Sequence, residues 1–516
     1  MFRYLTTPIY YVNDRPHLGH FYTTVAADIL ARFYKMQGDT VKFVTGTDEH
    51  GAKVAQAAEK KGLTPQAYVD TLVTAFQDMT REAGAEPDDF IRTTEPRHYK
   101  AAQALWKDLE NRGQIYLGYY EGWYAVRDEA FYDETELVQT AEGKKAPTGA
   151  LVEWVQEPCY FFRLSHWQEP LIAYYKSHPQ AIGPESRYNE VMAFLKGGLK
   201  DLAVSRSKLS WGIPIPECAH VMYVWIDALT NYLTVLGYPD LSHPDFENFW
   251  PQSTHLIGKD ILRFHAVYWP AFLMALGIEP PHRIFAHGWW TCEGEKMSKS
   301  LGNVIDPKTL VETYGLDKVR YFLFRHVRFG QDGDFCEDLF VGKCNQELSD
   351  GLGNLAYRVL SFIQSRCQGK LPPLGELGVR EKELFYWGKA ALPDMCALID
   401  KQDLYGYLEY VYQGVVKGNQ YMTQLAPWAL IRAVEKGDQE AKEKMETGLS
   451  ALVHFLRDLA LFLWPVMPSS CRALLEQVGA RASGSSLIPS FSELAEILKN
   501  EILPQPSPLF KRIEEE

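Results

Sequence analysis

Cysteine is sparse and never paired. The eight cysteines, at 159, 218, 292, 336, 344, 367, 396 and 471, include no C-x-x-C. That distribution fits a reducing compartment and argues against a structural zinc site, which takes about four thiolate or imidazole ligands at close spacing. Long uncharged apolar runs are also missing, so no membrane span is expected, and no charged leader with an apolar run and cleavage site opens the chain. We read it as cytoplasmic. Positive charge is in deficit: 53 Lys and Arg stand against 66 Asp and Glu, a net −13, which on composition alone argues against a nucleic-acid binder. What is present is ordinary globular sequence, 46% apolar and 23% charged over 516 residues, enough for several domains and a large core.

Residues 4–50 organise the rest. Residues 3–12 mix Thr, Ile, Tyr and Val as a buried strand does, and Asn13-Asp14-Arg15-Pro16 breaks the run. Helical spacing then appears at Tyr22, Val25, Ile29, Phe33 and Met36, with Gly38 placed to close the helix in a left-handed conformation. A second β-branched run at 40–45 completes strand, turn, helix, strand, for which a right-handed crossover and a ligand site at the carboxyl end of the first strand are expected. His17-Leu18-Gly19-His20 falls at that end. Free N–H groups and the positive dipole end of a helix bind anions, two imidazoles there can donate to phosphate oxygens, and a glycine between them lets a flat base approach. The outline is a nucleoside triphosphate site. Taken alone, the tetrapeptide reads equally as a metal pair or as two surface histidines.

Lys296-Met297-Ser298-Lys299-Ser300 stands far downstream. HLGH followed by KMSKS resembles the class I aminoacyl-tRNA synthetases. With Pro8-Ile9-Tyr10-Tyr11, Thr45-Gly46-Thr47-Asp48-Glu49-His50-Gly51, Tyr223-Val224-Trp225-Ile226-Asp227-Ala228 and His255-Leu256-Ile257-Gly258-Lys259-Asp260, the chain resembles the methionyl-tRNA synthetases over nearly its whole length. The resemblance implies an α/β fold: a Rossmann-type class I synthetase catalytic domain with an inserted strand-rich connective peptide, followed by an all-α helical-bundle anticodon-binding domain. We expect the first half of the catalytic domain at 1–112, the connective peptide at 113–215, the second half at 216–290, the KMSKS loop and stem-contact segment at 291–345, and the helical domain at 346–516. No further C-terminal dimerising or tRNA-binding module is expected.

In detail, 51–112 reads as helices broken at Gly62 and Gly84, while 116–129 and 153–162 read as aromatic strands around a turn at 143–149. The insertion is too short for the second hydrolytic site of synthetases that edit small aliphatic amino acids. It also lacks the cysteine knuckles of many methionyl-tRNA synthetases, so the zinc-free form is expected. The apolar run 221–226 resumes the catalytic fold, 261–276 reads as helix, 284–287 as strand, and 291–303 as a mobile loop apart from the sheet. Asp306, Pro307 and Gly315 suit the cap, first turn and end of a helix. Beyond about 341, long helical runs appear at 345–365, 404–433 and 448–466.

The implied reaction is methionine activation by ATP, giving methionyl-adenylate and pyrophosphate, then transfer to the 3′ end of tRNA(Met), for translation initiation and elongation. Little of it needs a protein nucleophile; positioning and charge neutralisation do the work. By resemblance, His17, His20, Lys296 and Lys299 are catalytic, and with Gly19 and Ser298 they bind ATP, accompanied by Mg²⁺. Asp48, just past the second strand, takes the substrate ammonium, with His50 and Lys53 as lesser candidates. Ile9, Tyr11, Trp225, Tyr232, His265 and Trp269 form the side-chain pocket, whose aromatic composition suits a polarizable thioether; Leu229 departs from bacterial relatives, which often carry proline there. Asn354 and Arg358, four apart on one helical face, and Trp428 match the residues that read the CAU anticodon. No resident metal is expected. The implied partners are L-methionine, ATP and tRNA(Met), including the initiator, bound by a local basic patch on an acidic monomer, with no membrane. Three other readings remain at this point: a small nucleotidyltransferase sharing H-x-G-H, an inactive synthetase descendant, and another class I synthetase such as the valine, leucine or cysteine enzyme. The helical C-terminal region, the intact histidines and lysines, and the short insertion without paired cysteines weigh against them in turn.

Overall fold

The β-branched and aromatic residues after Met1 form strand β1 (Phe2–Tyr11), and the helical spacing that follows forms α1 (Leu18–Met36). Gly38, at φ +90°, ends that helix in a conformation that L side chains avoid, and β2 (Thr40–Asp48) follows. The computed structural model describes residues 1–128, 130–292, 295–296, 305–480, 488–494, 496–498 and 502–514, with backbone alone at 120, 131, 157, 295 and 296. Its contacts divide the chain into two compact units, one of residues 2–27 and 41–287, the other of residues 1, 28–40 and 288–516.

The first unit continues with α2 (Ala52–Lys60), α3 (Pro65–Glu82), β3 (Asp89–Arg92), α4 (Pro96–Asn111), β4 (Ile115–Ala125), β5 (Glu153–Phe162), β6 (Ile182–Gly183), α5 (Val224–Thr234), β7 (Ser253–Gly258), α6 (Trp269–Leu276) and β8 (Arg283–His287). Six strands make one sheet in the order β3-β2-β1-β7-β8-β6. β1 runs parallel to β7, with Tyr4 opposite Ser253 and Thr6 opposite His255. β7–β8, β8–β6 and β2–β3 are also parallel. The strand order reverses at β1, whose neighbours β2 and β7 lie far apart in sequence, and an open sheet of this kind binds ligand at the carboxyl ends beside such a switch point. β4 and β5 pair antiparallel from Ile115 opposite Phe162 to Tyr124 opposite Glu153, in a separate four-stranded sheet.

Several segments differ from expectation for identifiable reasons. β3 lies in a stretch read as helical; with four residues, of which only Ile91 is fully buried, it has no usable periodicity. It packs so closely on β2 that a Cβ at Gly46 would stand 2.0 Å from the Ile91 carbonyl oxygen, so only glycine fits there. The apolar run at 221–226, for which the sequence assigns no element type because continuous apolarity fits strand and helix alike, is extended at Val221–Met222 and then winds into α5. The six-stranded sheet takes its edge strand β6 from within the stretch read as inserted.

In the second unit, Trp290–Cys292 is a strand, paired with Glu295–Lys296 and Gly333–Phe335, so the segment read as a loop lies outside the six-stranded sheet but begins inside a small one of its own. Residues 297–304, with Ser298 and Lys299, lie outside the described residues. Asp306 caps its helix by accepting from the Lys308 N–H at 3.1 Å, with Pro307 in the first turn. Most of the remainder up to Gln477 is helical, including α7 (Asn354–Arg366), α8 (Leu404–Leu425), α9 (Pro427–Val434) and α10 (Gln439–Leu463). The long run at 404–433 is two helices, because proline cannot continue one and disfavours a right-handed helical residue before it; Ala426 is left-handed at φ 45°. α10 is buried without interruption from Thr447 to Leu463 and forms the core of this unit.

Candidate active site

The HLGH turn lies where β1 hands over to α1, and its rings fold back on the helix start. His20 Nδ1 accepts from the His17 N–H at 3.1 Å, and His17 Nδ1 accepts from the Gly19 N–H at 3.1 Å. The two rings are 3.8 Å apart. Desolvation first, and the neighbouring His17 second, hold His20 well below the usual histidine range, so it is a neutral imidazole. With its Nδ1 accepting, the neutral His20 ring carries its proton on Nε2 and can still donate to a phosphate oxygen. A Cβ at Gly19 would lie 2.9 Å from His17 Cε1, so a larger residue there would push the exposed His17 ring aside. Tyr10 backs the turn, its hydroxyl 3.1 Å from the His20 carbonyl oxygen and its ring edge-on to His20. Sequence reasoning missed His287 at the end of β8, whose Nε2 is 2.7 Å from Thr23 Oγ1 one turn into α1; nothing marks a strand-end histidine in sequence.

Asp48 ends β2 and is buried, and its carbonyl accepts from the Val12 N–H at 3.1 Å, tying the ends of β1 and β2 together. The following residue, Glu49, is fully buried and saturated: Arg92 Nε and Nη2 donate at 2.7 and 3.0 Å, Thr47 at 2.7 Å and Thr94 at 2.6 Å. Trp211 Nε1 donates to the Glu49 carbonyl at 2.6 Å, and the Trp211 carbonyl accepts from the Gly51 N–H at 3.3 Å. Apart from Thr47, these partners are remote in sequence and left no signal there.

The pocket candidates on α5 and around α6 meet one another. Tyr232 is buried, its hydroxyl 2.8 Å from His265 Nε2, while His265 Nδ1 lies 3.0 Å from the Ile261 carbonyl. A carbonyl only accepts, so Nδ1 carries the proton and the Tyr232 hydroxyl donates to Nε2. Burial pushes the His265 pKa down to about 4, in keeping with that neutral tautomer. Trp225 stacks on Phe264 at 3.8 Å and presents its edge to His265 at 6.0 Å. Trp269 lies 6.1 Å from Tyr232 and is fully buried in the core. Ile9 and Trp225 are half-buried against the same core. Tyr11, half-buried at the end of β1, has the Lys53 ammonium 5.8 Å from its ring centre.

In the second unit Asn354 is exposed on the first turn of α7, and Arg358, one turn on, lies over the ring of Trp428 in the first turn of α9. Of the KMSKS residues, only the backbone of Lys296 falls among the described residues.

The family described as "tRNA synthetases class I (M)" matches residues 3–150 and 140–360. The methionine–tRNA ligase of Mesorhizobium japonicum is 47% identical over 515 residues, covering 99% of this chain and 98% of its own length. That of Rickettsia bellii is 48% identical over 516 residues, 99% of each. The structure of Mycobacterium tuberculosis methionyl-tRNA synthetase in complex with methionyl-adenylate superposes with a TM-score of 0.94 at 42% identity, covering 99% of this chain and 100% of that one. The family match over residues 3–360 and the full-length relatives make the chain a class I tRNA synthetase, and a parallel sheet with its switch point at β1 is the fold such an enzyme needs. Within that class, the chain belongs to the methionine–tRNA ligase family.

Proposed function

We propose that the protein is an ATP-dependent aminoacyl-tRNA ligase that charges tRNA(Met), the initiator included, with L-methionine. A methionine carboxylate oxygen attacks the α-phosphorus of ATP and displaces pyrophosphate. A hydroxyl of the tRNA 3′-terminal ribose then attacks the activated carbonyl, and AMP leaves. The observation that carries the reading is full-length kinship at 45–49% identity with methionine–tRNA ligases, and the placement of site residues agrees with it chemically.

In this reading Asp48 holds the substrate ammonium, and Ile9, Tyr11, Trp225, Tyr232, His265 and Trp269 surround the thioether. The neutral His265 supports this: a buried imidazole without charge, held by Tyr232, suits an uncharged polarizable side chain better than a cationic or acidic one. His17, Gly19 and His20 receive ATP, which enters as its Mg²⁺ complex. Lys296 and Lys299 neutralise the charge that develops on pyrophosphate, and Ser298 joins them in binding ATP. Asn354, Arg358 and Trp428 read the anticodon, supported by an exposed aromatic face beside a guanidinium, the composition on which unstacked RNA bases pile. We further propose that it works as a cytoplasmic monomer; no described helix is long and apolar enough to cross a membrane.

Pyrophosphate exchange into ATP, run without tRNA against every standard amino acid, tests the first step. Methionine alone should support exchange at substantial kcat/KM. Equal exchange with another amino acid would contradict the assignment.

A further inference from the structure

Behind the expected substrate loop lies a polar constellation that the reaction as written does not use. Asp227, on the first turn of α5 and fully buried, accepts at both carboxylate oxygens: His50 Nδ1 lies 2.7 Å from Oδ2 and His98 Nε2 lies 2.8 Å from Oδ1. His50 and His98 are themselves buried. His98 Nδ1 reaches Thr234 Oγ1 at 3.0 Å, two turns along α5, and His50 Nε2 reaches the Tyr99 hydroxyl at 3.1 Å, on the first turn of α4. Trp211 packs edge-on against the His50 ring at 5.1 Å. One carboxylate therefore joins three elements: the loop after β2, α4 and α5. A buried carboxylate is costly unless its lone pairs are filled, and here each oxygen has an imidazole aimed at it.

The position of this network matters. His50 is two residues past Asp48, and Asp227 is two residues past Trp225, so the Asp227–His50 bond ties the loop that carries the carboxylate expected at the ammonium to the helix that carries the indole expected at the thioether. Glu49 and Gly51, on either side of His50, are fixed separately by Arg92 and Trp211.

We propose that His50, Asp227 and His98 are positioning residues for methionine recognition: they set the distance between the ammonium site at Asp48 and the side-chain pocket on α5, and so make the enzyme require an α-amino group. The proposal rests on the assignment of Asp48 above. A rigid two-point gauge suits discrimination, because a site built around a hydrogen-bonding group penalises a ligand that lacks it more than an apolar pocket penalises a shape change.

The test compares methionine with 4-(methylthio)butanoate, which keeps the thioether and the reactive carboxylate but lacks the amino group, in pyrophosphate exchange. Asp48→Ala is the control and should abolish most of the preference for methionine. His50→Ala should lower kcat/KM for methionine about tenfold or more, through KM for methionine with KM for ATP unchanged, on the scale expected when a contact is displaced by under an ångström. It should leave kcat/KM for the desamino analogue within about twofold, since that ligand never used the displaced carboxylate. His50→Asn, whose amide can sit where Nδ1 is and still donate to Asp227, should restore a large part of the preference. If His50→Ala fails to fold, Tyr99→Phe decides, because it removes one hydroxyl at a half-buried ring; a roughly two- to fivefold loss of preference is expected from loosening one side of the His50 ring. A merely structural role would depress both substrates alike and would overturn the proposal. If Asp48→Ala loses the preference while the His50 and Tyr99 variants keep it, the positioning role falls and the ammonium assignment stands. If Asp48→Ala itself keeps the preference, the ammonium assignment falls and the proposal falls with it.

Discussion

The Arg358 guanidinium lies 5.5 Å from the centre of the Trp428 ring, and Trp428 is 44% exposed. A core tryptophan would be enclosed; this one is not. Trp428→Ala should therefore leave tRNA-independent pyrophosphate exchange and the melting temperature nearly unchanged, while tRNA binding loses on the order of 1–3 kcal/mol, the worth of one base stacked on an aromatic ring. A packed core ring would instead cost about 3–5 kcal/mol of stability. Parallel loss of exchange, charging and Tm would return Trp428 to the core.

Lys299→Ala tests the other end of the reaction. A lysine that meets charge building on departing pyrophosphate stabilises the transition state more than bound substrate. The change should lower kcat for exchange by roughly 10²-fold or more, with methionine affinity little altered. Normal turnover with a raised KM for methionine would show that Lys299 belongs to a different part of the site.

Acidification should destabilise the fold above the range where carboxylates titrate. Burial pushes both His265 and His454 down to about 4. His454 shows why: its Nδ1 faces the Ser450 carbonyl at 2.7 Å and its Nε2 accepts the Leu498 N–H at 3.0 Å, so a second ring proton would point at a donor. The unfolded chain takes up these protons near pH 6.5 and the native chain refuses them until about 4, so their stability is complete above the unfolded value and is lost as pH falls through that window. For His265 the loss reaches on the order of 3 kcal/mol. Asp458, pushed up to about 6 by burial against the pull of Arg457, works in the opposite direction: its native carboxyl keeps a proton that the unfolded chain releases near pH 4. With two histidines against one aspartate, the urea midpoint should be lower at pH 5 than at pH 7. A higher midpoint at pH 5 would contradict the neutral-histidine assignment.

Chelation should not inactivate the enzyme once Mg²⁺ is restored. Among the described residues no group of three or more His, Cys, Asp or Glu side chains could hold a metal ion. Metal analysis should find well under one zinc per chain; a tightly bound equivalent, with activity lost on its removal, would overturn the expectation.

Candidate residues are legible in the sequence where they are contiguous. HLGH stands out because a strand end, a helix start, two histidines and a glycine occur within twenty residues, but its reading as an ATP site needs KMSKS beside it. The Tyr232–His265 pair was reached only through resemblance, since its partners are 33 residues apart on separate elements. His50 and Asp227 fall in motifs that the sequence marks, but their connection through His98 was not legible: the three come from separate elements, and a histidine in sequence says nothing about which carboxylate it will meet. The same limit applies to backbone. β3 was lost because four residues carry no period, and the 404–433 run was joined because helical spacing continues across Ala426-Pro427 while the backbone does not. Local chemistry survives in a string of letters; partners brought together by tertiary packing do not.

The most direct test of the whole account is charging itself, measured with labelled methionine on a tRNA(Met) transcript bearing CAU and on the same transcript with the anticodon replaced. The account predicts stoichiometric methionylation of the first and a fall in kcat/KM of about 10²-fold or more for the second, the size expected when base-edge contacts and stacking are lost together. Methionine-dependent pyrophosphate exchange with no methionylated CAU transcript, or equal charging of both transcripts, would contradict it.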